Sequence, residues 1–350
     1  LPDSVKEKLL GKTLDELRQA ALDCGLQAFV GKQLADWLYA KKATSWDRMT
    51  NISKAAKSAL SEKYDLGTIA PAGFASSSDG TKKYLFPVSC AVGSGFETSA
   101  VEAVMIPDED RRTLCVSSQA GCKMRCKFCM TGRQGWHGNL DAADIIAQFT
   151  GIDEAAELTN TVFMGMGEPL DNYPAVKRAI EILTAPWGFA WSPKRITVST
   201  IGVIPALRQF LDETRCHIAV SLHNPYGEER FQMMPSERAW AVRDVVALLK
   251  QYDFSGQRRV SFEYTMFEGW NDDRRHAEAL VRLLAGLECR VNLIRFHKIP
   301  DFPYGTASER TMEDFRDFLN SKGITCTIRA SRGEDILAAC GMLAGQHGEK

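Results

Sequence analysis

The stretch Leu114–Trp136, LCVSSQAGCKMRCKFCMTGRQGW, restricts what this chain can become more than any other. It sets Cys122, Cys126 and Cys129 in a C-x3-C-x2-C spacing, with Cys115 shortly before them. Deprotonated thiolates are soft donors, and spacings this short let one loop wrap one metal centre. Three such ligands suit a 4Fe–4S cluster in which one iron lacks a protein thiolate and can take a small molecule instead. The competing reading is a zinc site with Cys115 as the fourth thiolate. Structural zinc usually shows two short-spaced pairs; only one is present, and Cys115 itself reads as part of a strand.

From Arg112 onward short strands alternate with helical patterns. Strands are expected near 113–117, 161–165, 195–199, 217–221, 259–264 and 291–295, and helices over 141–158, 173–185, 203–212, 239–252 and 273–287. A helix at 312–322 and a strand at 324–330 follow. Such alternation predicts an α/β fold with a parallel sheet or barrel; periodicity alone does not separate a partial barrel from a doubly wound sheet. In parallel α/β folds ligands gather at the C-terminal ends of the strands. The motifs fall there: the cysteine loop after the first strand, Gly165–Glu168 after the second, Ser199 and Thr200 at the third, Ser221–His223 at the fourth, and His297 after the sixth.

Ahead of this region, residues 1–68 are predicted to be a helical accessory domain. Thr13 and Glu16 form a capping-box pattern at the start of TLDELRQAALDCG, and KQLADWLYAKK and ISKAAKSALSEKYD continue the helical spacing. Lys32, Lys41, Lys42, Lys54 and Lys57 either contact a nucleic-acid backbone or form an ordinary solvated face. Residues 69–111 change character: KKYLFPVSCAV and SAVEAVMIP, separated by GSGFET, predict a β-hairpin lead-in. The remainder, 112–345, is the α/β region with a late cysteine, Cys340.

Ten cysteines in 350 residues do not make a disulfide-dense secreted scaffold, so a reducing, intracellular compartment is expected. No apolar run approaches the ~18 residues of a membrane span and no signal-peptide pattern opens the chain, so no membrane association is expected. The first residue is Leu1 rather than Met, so the numbering is expected to begin inside the natural start. Net charge is -1, which taken alone favours a small-molecule enzyme; any nucleic-acid footprint must come from local clusters. Candidates are Lys123, Arg125, Lys127 and Arg133 in the cysteine loop, Arg258 and Arg259, and Arg329 and Arg332, with Trp136, Phe231 and Trp240 as stacking surfaces. Cys24, Cys90, Cys216, Cys289 and Cys326 carry no motif and read as structural.

CVSSQAGCKMRCKFC, with Phe128 before the last cysteine, is similar to the signature of the radical S-adenosylmethionine (AdoMet) enzymes. Together with MGMGEPL, SLHNP and RGEDILAACGML it resembles the RlmN family, carbon-2 adenine methyltransferases of ribosomal and transfer RNA, over nearly the whole chain. The resemblance implies a partial (βα)6 TIM-like barrel. It implies a 4Fe–4S cluster on Cys122, Cys126 and Cys129, with AdoMet held by Gly167, Glu168, Ser199, Ser221, Leu222, His223 and His297. It further implies that Cys340 carries a methyl group, that Cys115 pairs with it in a transient disulfide, and that Glu102, in VEAV, acts as general base. The implied partners are 23S rRNA, tRNA and an electron donor such as flavodoxin; the implied setting is cytoplasmic, as a monomer. The sequence departs from many relatives at His297, where they carry Asn, and at MMPSERAW, where they carry MPIN. Pro169 in GEPL resembles the RlmN type, whereas STIGVIPAL and SLHNPYGEER lean toward Cfr, the carbon-8 methyltransferase. That leaves carbon 8 as the alternative, and a noncatalytic iron–sulfur or zinc RNA-binding protein as the rival from another class.

Overall fold

The structure, a computed structural model, describes residues 6–92, 95–256 and 258–344. Gly93 and Ser94 of the expected hairpin turn, Leu1 and the last residues of the chain lie outside that range. In chain order the elements are β1 (Glu7–Lys8), α1 (Leu14–Asp23), α2 (Phe29–Ala35), α3 (Lys54–Lys63), β2 (Tyr64–Asp65), β3 (Gly73–Ser76), β4 (Lys82–Val92), β5 (Gly95–Asp108), β6 (Arg111–Cys115) and β7 (Gln119–Gly121). There follow α4 (Met130–Gln134), β8 (Trp136–Asn139), α5 (Ala142–Thr150), β9 (Asn160–Phe163), α6 (Tyr173–Thr184), β10 (Ile196–Thr200), α7 (Ile204–Glu213), β11 (His217–Ser221), α8 (Gly227–Met233) and α9 (Val242–Leu249). The chain continues through β12 (Val260–Met266), α10 (Arg274–Leu284), β13 (Arg290–Arg295), α11 (Glu309–Ser321) and β14 (Thr325–Ile328).

One ten-stranded sheet runs in strict chain order, from β14 through β13, β12, β11, β10, β9, β6, β5 and β4 to β3. The seven strands β6 and β9–β14 are parallel, because each step crosses back through a helix. The lead-in strands β3–β6 are antiparallel and joined by tight connections. Residues at the C-terminal ends of β9 to β13 line a single cavity. The sheet is therefore a curled, partial barrel of α/β type, with β14 and β3 as its two ends.

The N-terminal helices begin as their sequence directs. Thr13 accepts from the Glu16 amide and Glu16 reaches back to the Thr13 amide, completing the capping box. Their apolar faces, including Leu17, Leu34, Leu38 and Leu60, belong to the same continuous core as the barrel helices. Contact is close: a Cβ on Gly11 would stand 2.6 Å from the Ala143 amide nitrogen at the start of α5. Lys8 reaches across to Asp144 at 2.6 Å and Asp141 at 3.0 Å.

Two sequence expectations change here. The helix expected over 141–158 stops at Thr150. Gly151 packs so tightly that a Cβ would lie 2.5 Å from the Ile69 carbonyl, and Glu154 is drawn onto the sheet by the Tyr84 hydroxyl at 2.7 Å. Tertiary contacts thus override the helical periodicity of the following residues. Among the expected RNA-facing lysines, Lys42 turns inward: it donates to the Ala155 carbonyl and lies 5.2 Å from the centre of the Phe189 ring. Lys41 is engaged locally, paired with Asp36 at 2.6 Å and over Trp37 at 4.0 Å.

Candidate active site

The cysteine loop is closed at its neck. β7 and β8 pair antiparallel on either side of it, and the Cys122 amide donates to the Gly135 carbonyl at 2.7 Å. Gly121 makes this closure possible, since at φ +69° any Cβ would stand 2.0 Å from the Gly135 oxygen. Within the loop, Lys123, Arg125 and Lys127 are exposed while Met124, Cys126 and Phe128 line the cavity wall, so the alternation KMRCKF sends cations outward and sulfur inward.

Cys122, Cys126 and Cys129 all line that cavity. Burial pushes the Cys122 thiol up to about 12, and Glu168 and Cys129 push in the same direction. Cys126 is raised well above the ordinary range by burial and then by Cys129 and Cys122, which places the three sulfurs within electrostatic reach of one another. A metal bound by these thiols would replace their protons, since a thiol ligates as the thiolate. Among the described residues no group of three or more His, Cys, Asp or Glu is arranged to hold a metal ion. A cluster places each thiolate on a different iron, so it does not need a single-ion cage, and three soft donors around one cavity fit it.

The Met164–Glu168 turn is fastened to the segment after β6. Met166 donates to Ser117 Oγ at 2.8 Å, its carbonyl accepts from the Ser118 amide at 2.9 Å, and the Glu168 amide donates to Gln119 Oε1 at 2.8 Å. Gly167, at φ +100°, leaves no room for a side chain, because a Cβ would lie 2.6 Å from that of Gln119. Glu168 is 3% exposed and accepts from the Ile201 amide at 2.9 Å and the Leu170 amide at 3.1 Å. Burial lifts its carboxyl to about 7, against the lowering effect of its hydrogen bonds from Thr200 and these amides. A carboxylate so poised gains from a cationic neighbour.

Ser199, Ser221 and His223 line the same wall, on β10, β11 and the turn after β11. His223 adopts φ +55° and accepts at Nδ1 from the Thr265 amide at 3.0 Å. Burial, followed by the nearby Arg230 guanidinium, lowers it to about 3, so the ring is neutral and its proton sits on Nε2 as a donor. Leu222 is fully buried and does not line the cavity; its carbonyl accepts from Arg230 Nε at 2.9 Å. Arg230 is itself 0% exposed, donates to the Ser221 carbonyl at 2.8 Å and pairs with Glu237. The divergent MMPSERAW segment thus supplies, through Glu237, the counter-ion of the arginine that fixes the Ser-Leu-His backbone.

Cys340 lines the cavity with the three loop cysteines. The residue as a whole is exposed, yet burial of its thiol pushes that group up. Arg329 opposes that shift, while Glu263 and Cys129 add to it. Cys115 is buried just beyond: its thiol is pushed up to about 12 by burial first and by Cys340 second. All ten cysteines are free; Cys90, Cys216 and Cys326 are buried, as packing residues would be.

Glu102 and His297 stand elsewhere than the cavity wall. Glu102 pairs with Lys83 at 2.9 Å and accepts from the Ala344 amide at 2.7 Å. His297 meets Ser331 Oγ at 3.1 Å and Glu334 at 3.2 Å. Both therefore touch the segment that carries Cys340. That segment is further tied to the cluster loop, by the Met130 amide to the Gly341 carbonyl at 2.8 Å and by Thr131 Oγ1 to the Leu343 carbonyl at 2.7 Å. Arg258, expected at an RNA surface, is buried and donates to the Leu211 carbonyl at 2.7 Å. Arg259 lies beside it at the N-terminal end of β12, opposite the cavity. Glu263, Thr265, Met164 and Arg230 were not legible as site residues; only Glu263, a charge inside the apolar run VSFEYTM, carried a signal.

Residues 116–281 match the model of the radical SAM superfamily, and residues 7–66 match that of the ribosomal RNA large subunit methyltransferase N-terminal domain. The chain is 57% identical to a probable dual-specificity RNA methyltransferase RlmN of Porphyromonas gingivalis, covering 97% of this chain and 98% of that one. The chain belongs to the RlmN family. A dual-specificity RNA methyltransferase RlmN of Syntrophus aciditrophicus is 38% identical over 95% of each chain. A radical SAM methyltransferase from Sphaerobacter thermophilus superposes with a TM-score of 0.90 at 37% identity, covering 97% of this chain and all of that one. Membership in the RlmN family accounts for the partial barrel and makes the chain a radical SAM methyltransferase. Among the described residues no helix is long and apolar enough to cross a membrane.

Proposed function

We propose that this protein methylates carbon 2 of a specific adenine in 23S rRNA and in tRNA, in the cytoplasm and as a monomer supplied with electrons by a flavodoxin-like donor. The observation that carries the reading is the placement of Cys340 on the same cavity wall as Cys122, Cys126 and Cys129, with Cys115 within its electrostatic reach. In this reading the three loop thiolates hold a 4Fe–4S cluster, which when bound supplies one electron for radical chemistry on AdoMet. Gly167 and Glu168 receive the amino-acid end of AdoMet, the Glu168 carboxylate pairing with its ammonium. Ser199, Ser221 and the neutral His223 offer hydroxyl and N–H donors to the rest, and Leu222 acts through its backbone. His297 contributes by holding the segment of Cys340.

Cys340 serves as the methyl carrier, because adenine carbon 2 is electrophilic and cannot attack a sulfonium methyl itself. Its thiolate forms the sulfur–carbon bond as the methyl leaves the donor. Arg329, the cation that lowers this thiol, favours the thiolate. Once a radical from a second AdoMet has removed a hydrogen atom from the carried methyl, the carbon so formed bonds to carbon 2, the adduct gives up one electron, and Glu102 takes the carbon-2 proton. Cys115 then attacks the Cys340 sulfur, so that a disulfide forms as the sulfur–carbon bond breaks. Glu102 already contacts the carrier segment, accepting from the Ala344 amide at 2.7 Å.

Residues 1–68 are proposed to act as an accessory domain gripping RNA, and 69–111 as the lead-in that brings Glu102 to the 112–345 barrel; Lys123, Arg125 and Lys127 of the cysteine loop are exposed. Mapping of modified RNA by mass spectrometry after anaerobic reaction with AdoMet tests the assignment. Methylation at carbon 2 in both RNAs is expected, and methylation only at carbon 8 would overturn it.

A further inference from the structure

A polar row crosses the inside of the barrel, and apart from Ser221 it is unused by the proposed chemistry. Ser221, Glu263, Asn292 and Thr327 stand level on four adjacent parallel strands, β11 to β14, each in register with the next. Its hydrogen bonds run in one direction. Thr327 Oγ1 donates to Asn292 Oδ1 at 3.0 Å, and Asn292 Nδ2 donates to Glu263 Oε1 at 2.8 Å. Ser261 Oγ donates to the same carboxylate oxygen at 3.0 Å. The row therefore fixes which way the carboxylate faces, and every donor lands on Oε1.

Oε2 is buried and has no hydrogen-bond partner. Arg329 Nε lies 3.6 Å away, close enough to attract the charge and too far for a hydrogen bond. Glu263 is 3% exposed and lines the cavity beside Ser221 and Cys340. Buried carboxylate oxygens are almost always paired, and one left unpaired on a cavity wall marks the place of an absent donor. Three side chains are spent on presenting it.

We propose that Glu263 Oε2 accepts a hydrogen bond from an adenosine bound in the cavity. The donor is either the ribose hydroxyls of AdoMet or the exocyclic amine of the target adenine. Carboxylates recognise ribose hydroxyls in this way in dinucleotide sites, and an amino N–H offers the same chemistry. The proposal rests on the function given above, which puts both adenosines in this cavity.

The test is Glu263→Gln, purified anaerobically with its cluster and compared with wild type. In the variant the amide oxygen stays with the two donors, Asn292 and Ser261, so the NH2 group takes the place of Oε2 and opposes the incoming donor. If AdoMet is the source, its affinity by isothermal titration falls about tenfold or more, the factor of one hydrogen bond to a charged group. If the target base is the source, AdoMet affinity is unchanged and KM for RNA rises by that factor. In either case the ligand-free variant melts close to wild type, because Asn292 and Ser261 keep their acceptor and the Arg329 that loses its ion pair is partly open to solvent. Glu263→Asp, which keeps the charge and loses reach, weakens the same ligand and serves if glutamine is not tolerated. Wild-type affinity for both ligands, or a melting temperature lowered by several degrees with binding intact, overturns the proposal. A wild-type holoenzyme that binds neither AdoMet nor RNA would remove the function itself, and the proposal with it.

Discussion

Glu237→Ala is the substitution whose effect follows most directly from the geometry. Arg230 is 0% exposed and Glu237 is its buried counter-ion. Removing one member of a buried pair leaves an uncompensated charge, at a cost of about 3–5 kcal/mol. Glu237 also accepts from the Val242 amide, the first of α9, at 3.0 Å. Leaving that buried amide without its acceptor adds about 1 kcal/mol, for roughly 4–6 kcal/mol in all. Unfolding entropy near 2.1 cal/mol/K per residue gives about 0.7 kcal/mol/K for 350 residues, so the melting temperature should fall by roughly 5–8 °C. Differential scanning calorimetry of the metal-free protein measures this. AdoMet affinity of the loaded protein should fall as well, because Arg230 positions the Ser221 and Leu222 carbonyls. Replacing both partners by apolar residues, Arg230→Met with Glu237→Leu, removes the stranded charge and should recover at least half of the lost stability. A Glu237→Ala protein that melts within about 1 °C of wild type, or a double variant as damaged as the single one, would refute the reasoning.

Glu168 gives a pH signature. Its carboxyl is raised from 4.5 to about 7 by burial, so below pH 4.5 folded and unfolded states are both protonated and carry no penalty. Between pH 4.5 and 7 the unfolded state ionises first, and stability is lost as pH rises, by about 3 kcal/mol once pH exceeds 7. Urea titrations of the metal-free protein at pH 5 and pH 8 should show this loss in wild type and not in Glu168→Gln; equal slopes in both would count against it. Cys340→Ala should still cleave AdoMet to deoxyadenosine under dithionite yet leave RNA unmethylated, as read by chromatography and radiolabel; methylated RNA would exclude a carrier role. Gly167→Ala forces a side chain into φ +100° against Gln119. About 1–3 kcal/mol of backbone strain alone is expected, read as a lower melting temperature with weaker AdoMet binding; an unchanged protein would show that the turn relaxes.

The parts of this molecule that were legible in the sequence are those set by local periodicity or short spacing. The capping box at Thr13 and Glu16, the seven parallel strands and the convergence of motifs at their C-terminal ends all follow from residues close together in the chain. The helix end at Thr150 was missed although its capping Gly151 stands in the sequence; what local periodicity did not carry is that Glu154, just beyond, is held by the Tyr84 hydroxyl, far away in the chain. Lys42 and Arg258 failed as surface residues for the same reason: a long cationic side chain reads as solvated until a carbonyl from another element claims it. The site shows this division most sharply. Cysteine spacing identified the loop, but the tie between that loop and the carrier segment runs through backbone groups, Met130 to Gly341 and the Leu343 carbonyl, which no side-chain pattern encodes. The MMPSERAW segment looked like a departure from the family pattern, and it places the one carboxylate that Arg230 needs. A divergent stretch next to a matching motif is therefore better tested for what it pairs with than counted against the motif. Here that pairing reaches the Ser221 and Leu222 carbonyls, and through them the wall on which both His223 and the row ending at Glu263 are built.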